Sequence, residues 1–217
     1  MSLLPIYIYF IAFCFLTSLF TLNKNGNPYY LKYFSIFLLL TLVIESSSFY
    51  LWYMGKTNAK LYSYFTIFEF SFYLFILRLI IENKRVRKII GYSLMSYLVV
   101  SLFNILFIQT EGFHSITYSL GCLLIVSFCI YYFFELFQST HSVNLAREPA
   151  FWICSGLLFF YTCTFPLMGL WNHLHGLPGI ILRNLFAVLQ VLNVLLYSLF
   201  SIAFLCRIRF LKVRTAL

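Results

Sequence analysis

Aspartate is absent from the 217 residues, and the acidic complement is six glutamates. Charged side chains of both signs make up only 10% of the chain, far too few to clothe a water-soluble domain, so a soluble fold is excluded. Cysteine is present but not patterned. The six cysteines, Cys14, Cys122, Cys129, Cys154, Cys163 and Cys206, all fall inside apolar runs and form no C-x-x-C, which argues against a disulfide framework or a metal knuckle. What fills the chain is apolar: 62% of the residues are hydrophobic and 22% are aromatic, with a mean hydropathy of +0.91.

The apolar residues fall into seven blocks, at 1–22, 33–53, 61–81, 89–108, 115–137, 149–171 and 182–206. Each holds the roughly 20 residues that an α-helix needs to cross about 30 Å of hydrocarbon. The joins are short and carry the breakers: NKNGNP, GKTNAK, ENKRVRK, QTEGFHS, QSTHSVNLARE and NHLHGLPG. The first block lacks a basic leader and a small-residue cleavage site and reads as a retained span. The sequence thus predicts one polytopic domain, an all-α bundle of seven transmembrane helices. Loop lengths also admit a 3+1+3 organisation, two three-helix halves joined by the fourth span, with Glu69 falling opposite Gln190.

The net charge of +9 invites a nucleic-acid reading, but the placement of the bases argues for topology instead. If the spans alternate, twelve basic residues (Lys24, Lys32, Arg78, Lys84, Arg85, Arg87, Lys88, Arg147, Arg207, Arg209, Lys212 and Arg214) share one side, and three (Lys56, Lys60 and Arg183) share the other. The positive-inside rule then puts the N-terminus outside and the C-terminus in the cytoplasm, as a multi-pass protein of the cytoplasmic (inner) membrane. The basic surplus meets anionic lipid heads, and no nucleic-acid partner is expected.

Against this apolar background the intramembrane polar groups stand out. A charged side chain at the centre of a spanning helix costs about 3 kcal/mol on insertion scales, so such groups usually face the bundle interior or a wet cavity. Glu45, Glu69 and Gln190 each lie eight residues from one end of their span, roughly 12 Å deep. Each belongs to a stripe at helical spacing: Thr41, Glu45, Ser48 and Trp52; Tyr62, Thr66, Glu69 and Tyr73; Arg183, Gln190, Asn193, Tyr197 and Ser201. Span 4 adds Tyr97, Ser101 and Asn104. The pattern predicts a shared outward-facing pocket for a ligand or proton, formed by Glu45, Glu69, Gln190 and Asn193 with Thr41, Ser48, Tyr73 and Asn104 in support and Arg183 at its mouth as counter-ion. Two carboxyls close together at one depth cannot both ionise cheaply. The plainer alternative is that these groups only hydrogen-bond helix to helix, each contributing about 0.6 kcal/mol.

Other candidates carry less. His173, His175, His114 and Glu111 lie in outer loops, and a metal site there would need the His173–His175 segment to unwind, so no metal and no cofactor is expected. Glu135 is placed to pair with the basic loops. Pro166, inside span 6, should free a carbonyl near the pocket. No serine–histidine nucleophile can be placed within the spans, which speaks against an enzyme.

Known seven-span families fit poorly. Microbial rhodopsins need a lysine in the last span, and AVLQVLNVLLYSLF has none. Rhodopsin-family receptors share only a proline in span 6. Intramembrane hydrolases of the ceramidase and adiponectin-receptor type need a histidine trio with an aspartate. The runs IESSSFYLW, IFEFSFYLF, FWICSGLLFFY and LNVLLYSLFSIAFLC resemble a group of small, uncharacterised seven-span membrane proteins of Bacteroidetes-type bacteria, across nearly the whole chain. Some of that group are encoded beside sensor kinases, so the resemblance implies a sensing role with such a kinase as partner. The expectation is a sensor or receptor-like subunit signalling through a membrane or cytoplasmic partner protein. The alternatives are a small-solute or proton-coupled transporter, whose polar stripe would have to continue to the cytoplasmic side, and a structural subunit of a larger membrane complex.

Overall fold

The computed structural model describes residues 5–22, 28–109, 112–138, 144–169 and 179–214, and side chains for all of these except 21, 22, 179–182 and 207–214. The described residues form seven α-helices: α1 (Ile6–Leu22), α2 (Tyr29–Tyr53), α3 (Ala59–Ile80), α4 (Lys84–Phe103), α5 (Ser115–Gln138), α6 (Pro149–Gly169) and α7 (Gly179–Arg214). Helix is what a chain this apolar must adopt in hydrocarbon, because only helix satisfies every backbone N–H and C=O within the segment itself. Six of the seven are long and apolar enough to cross a membrane, and the shorter α1 is equally apolar. This is the architecture of a multi-pass membrane protein.

The predicted spans recur with shifted ends. Helix α2 begins before the expected 33, because Pro28 supplies a helix start ahead of the Tyr29–Tyr30 pair. The end of α4 passes into one π-helical turn, Asn104–Ile108. Helix α7 runs on past 206 to Arg214, carrying the basic residues beyond the apolar block.

Helix α1 packs on α2 and α7, α7 on α6, α6 on α5, α5 on α3, and α3 on α2. That closes a ring of six helices. Helix α4 lies outside it, against α3 and α5. Exchanging α1–α3 for α5–α7 maps the ring onto itself but not α4, which packs on α3 and α5 and not on α7 and α1. One end of the bundle, hereafter the basic end, carries Lys32, Arg78, Lys84, Arg85, Arg87 and Lys88. The far end carries Lys56, Lys60 and Arg183.

The half of the bundle towards the basic end is packed with aromatic and aliphatic side chains. The Phe34 ring meets Phe72, Phe200 and Phe204 at centroid distances of 5.2, 5.3 and 6.1 Å, and Phe37 stacks on Phe72 at 4.1 Å. Leu31, Leu38, Leu74, Ile76, Leu77 and Ile81 are fully buried around them. Glu135 plays a different part here from the one expected. Its carboxylate accepts the backbone N–H groups of Glu82 at 3.2 Å and Asn83 at 2.9 Å, fastening the α3–α4 turn to α5. Those amides precede the first turn of α4 and have no helical partner, so the carboxylate satisfies them as a basic side chain could not.

Candidate functional site

Polar side chains concentrate in the other half, in two groups. The first joins α1, α2 and α3. The hydroxyls of Tyr7 and Tyr62 both donate to Glu45 Oε2, at 2.9 and 2.6 Å. Ser48, one turn on, accepts from Asn58 Nδ2 at 2.7 Å and also reaches Tyr62. Thr41, on the same stripe, is buried and spends its hydroxyl on the Phe37 carbonyl of its own helix.

The second group surrounds Glu69. The face of α3 that bears Phe65, Thr66, Tyr73 and Ile76 is buried, and Glu69 lies on it at mid-helix. Its carboxyl lies beside the hydroxyls of Tyr73 and Tyr161 and acts electrostatically on Tyr97, Tyr118, Tyr197 and Cys122. Neither Tyr73 nor Tyr161 closes a well-formed hydrogen bond: the hydroxyls of Tyr73, Tyr97 and Tyr161 are buried without a partner. Tyr118 is satisfied, donating to Thr164 Oγ1 at 3.0 Å. Phe70 forms a shared wall, its ring 5.9 Å from Tyr97, 5.3 Å from Tyr118 and 5.0 Å from Tyr161. That ring sits directly on the backbone of Gly121, where a Cβ would meet it at 2.6 Å.

Although both glutamates lie within spans, each retains part of its surface accessible, while Tyr73 and Tyr161 beside Glu69 retain none.

A third polar group lies at the far end between α4 and α5. Asn104, which opens the π-turn, donates from Nδ2 to Gln109 Oε1 at 3.0 Å and to Thr117 Oγ1 at 2.7 Å, leaving its Oδ1 buried without a partner. His114 is buried beside it, meets the backbone of Gln109 and has an unpartnered Nδ1. Burial pulls this imidazole below its ordinary pKa, against the opposing effect of the Gln109 backbone. Asn104 thus belongs to its own cluster and is not a support of the glutamates.

Three other expectations need correcting. Gln190 and Arg183 are exposed on α7, so Gln190 does not converge with the glutamates and Arg183 is not their counter-ion. The position of α7 that faces inward is Asn193, half-buried and bonded to the Leu189 carbonyl of its own helix at 2.9 Å. Pro166 is exposed, and the carbonyl it frees, that of Thr162, lies on the same outward face, away from the glutamates.

His173, His175 and Glu111 lie outside the described residues. Among the described residues no group of three histidine, cysteine or acidic side chains could hold a metal. Sequence reasoning missed Tyr7, Asn58, Tyr118 and Tyr161. The available signal was tyrosine at the middle of a span, as at Tyr161, where the membrane–water interface is its usual place. Comparison with protein-family models, with curated proteins and with solved structures gave no match.

Proposed function

We propose that the chain is a receptor-like sensor subunit of the bacterial cytoplasmic membrane. It takes a small ligand from the far side, which is the outside, and passes the response to a partner protein. The observation that carries this reading is the asymmetry of the interior. Glu45, Glu69 and their tyrosines occupy the far half, while the Phe34–Phe37–Phe72–Phe200–Phe204 packing fills the other. A transporter needs a polar route through both halves, and among the described residues the basic-end half offers Thr17, Ser18, Ser35 and Ser201, of which Thr17, Ser18 and Ser201 bond to carbonyls of their own helices.

The partner is supported by Gln190. A polar side chain exposed about a third of the way along an apolar helix is costly in lipid, and a neighbouring helix that accepts its hydrogen bonds removes that cost. The resemblance to proteins encoded beside sensor kinases makes such a kinase the partner of first choice.

Sidedness of access tests the proposal. In a cysteine-free background, Glu45→Cys and Glu69→Cys are exposed to a membrane-impermeant thiol reagent in right-side-out and inverted vesicles, with Asn58→Cys as the far-side control. The expected result is labelling in right-side-out vesicles only, at all three positions. Labelling of Glu69→Cys from both sides would favour a transporter, and labelling of neither glutamate position would favour a structural subunit.

A further inference from the structure

Arg78 extends the opposite way from most charged side chains at the end of a spanning helix. It lies in the last turn of α3, two residues before Ile80, where a lone arginine would reach out to the water beyond the basic end. Its guanidinium instead rests on Gly91 of α4, where a Cβ would stand 3.5 Å from both Cζ and Nη1 and 3.7 Å from Nε. Gly91 is seven residues into α4, about 10 Å past the helix start at Lys84. The direction follows from the helix, since side chains tilt towards its N-terminus, which for α3 is the far end. The glycine supplies a flat shelf for the planar group. Arg78 is nonetheless exposed, so its charge stands at the rim of the hydrocarbon, beside the first apolar residues of α4.

Helical spacing adds positive charge on the same flank. Lys84, Arg87 and Lys88 precede Gly91 by seven, four and three residues, so they line up with it on one side of α4, and all three are exposed. Among the described residues no carboxylate pairs with any of these four cations. Glu135 already holds the Glu82 and Asn83 amides, and the exposed Glu82 alone leaves the turn with a positive excess. Past Gly91 the flank turns apolar: Met95, Leu98 and Leu102 follow at four, seven and eleven residues, and Met95 and Leu102 are well exposed.

We propose that the α3–α4 seam at the basic end binds an anionic phospholipid, its phosphate on the Arg78 guanidinium between Arg87 and Lys88 and its acyl chains along Met95, Leu98 and Leu102. A guanidinium presents paired N–H donors that match two oxygens of a phosphodiester, and basic sites between spanning helices favour such headgroups. A soluble anion fits badly, because the guanidinium lies inward of Lys84, Arg87 and Lys88 against apolar side chains, where a phosphate without acyl chains would give up water and gain no apolar contact. The site lies at the opposite end of the bundle from the two glutamates and does not depend on the sensor reading.

The experiment is thermal unfolding of the full chain in a neutral detergent, titrated with phosphatidylglycerol, phosphatidylcholine or glycerol 3-phosphate. The expected result is a saturable rise in Tm with phosphatidylglycerol and none with the other two. Arg78→Gln should move half-saturation to roughly fivefold higher lipid or more, with a smaller shift in Lys88→Gln. Arg85→Gln is the control: it removes the same charge from the first turn of α4 on another flank and should leave the titration unchanged. Should Arg78→Gln not fold, Arg87→Gln and Lys88→Gln carry the test against Arg85→Gln. An equal rise with phosphatidylcholine would assign the effect to acyl chains alone, a rise with glycerol 3-phosphate would assign it to a soluble anion, and an equal loss in Arg78→Gln and Arg85→Gln would assign it to diffuse surface charge. Any of these three, or a Tm unmoved by phosphatidylglycerol, would overturn the proposal.

Discussion

Replacing Gly121 by alanine tests whether the tyrosine cluster around Phe70 depends on a close approach of α5 to α3. The added Cβ would lie 2.6 Å from Cγ and Cδ1 of Phe70 and 2.7 Å from Cδ2. Carbon atoms pack best at about 3.5–4.0 Å, so the ring or the helix must yield by about 1 Å. The ring has nowhere to go, because Tyr97, Tyr118 and Tyr161 stand around it at 5.0 to 5.9 Å between centroids. Overpacking of this kind costs about 1–3 kcal/mol, which lowers the folded-to-unfolded ratio roughly 5-fold to 150-fold. Equilibrium unfolding in mixed micelles reads this directly. Gly91→Ala is the control, since its Cβ would meet only the Arg78 guanidinium, at an ordinary 3.5 Å. In the Gly121→Ala background, Phe70→Leu should recover part of the loss through a coupling of about 1 kcal/mol or more. Wild-type stability in Gly121→Ala, or strict additivity in the double variant, would refute the close approach.

Two further predictions concern hydrogen bonds and pH. Tyr62→Phe and Tyr7→Phe each remove one donor to Glu45 and should cost about 0.6–1.7 kcal/mol. Tyr62 should cost more because its bond is 2.6 Å against 2.9 Å, and unfolding curves ranking the two the other way would contradict that geometry. His114 favours its neutral form when folded, because burial lowers its pKa below the ordinary 6.5 of the unfolded chain. Its contribution is therefore complete above about pH 6.5 and lost as the pH falls below it. Melting should drop between about pH 7.5 and 5.5 in the wild type and less so in His114→Gln. An equal drop in both would assign the effect elsewhere.

The spans were legible in the sequence because hydrocarbon imposes one solution on an apolar chain, and runs such as LLLTLVIESSSFYLW admit no other. The inward face of α3 was legible too: Tyr62, Thr66, Glu69 and Tyr73 recur at helical spacing and all turn into the bundle. Helix α7 was harder, since Gln190 and Asn193 lie three apart, nearly on one face, and polarity alone does not say which of them meets protein and which meets lipid. Packing against α1 and α6 decides that, and it turns Asn193 and Tyr197 inward. Long-range partnerships such as Tyr7 with Glu45 were not legible. They depend on which helices adjoin, and helix order in a ring leaves no periodic trace in any single span.

The ring has a consequence for how the protein is made. It closes between α1 and α7, the first and the last of its helices, so α1 enters the membrane with one flank uncovered. About 150 residues separate the two, which at ordinary synthesis rates is a wait of about 10–30 s. Throughout that interval Tyr7, Cys14 and Ser18 have α2 beside them but not α7, and the nascent chain is an open sheet of helices in which the insertion machinery or lipid must stand in for the missing neighbour. A transcript truncated ahead of α7 would leave that groove open permanently and mark the product for membrane proteolysis. By the same logic, α7 co-expressed as a separate polypeptide has a vacant position waiting for it between α6 and α1.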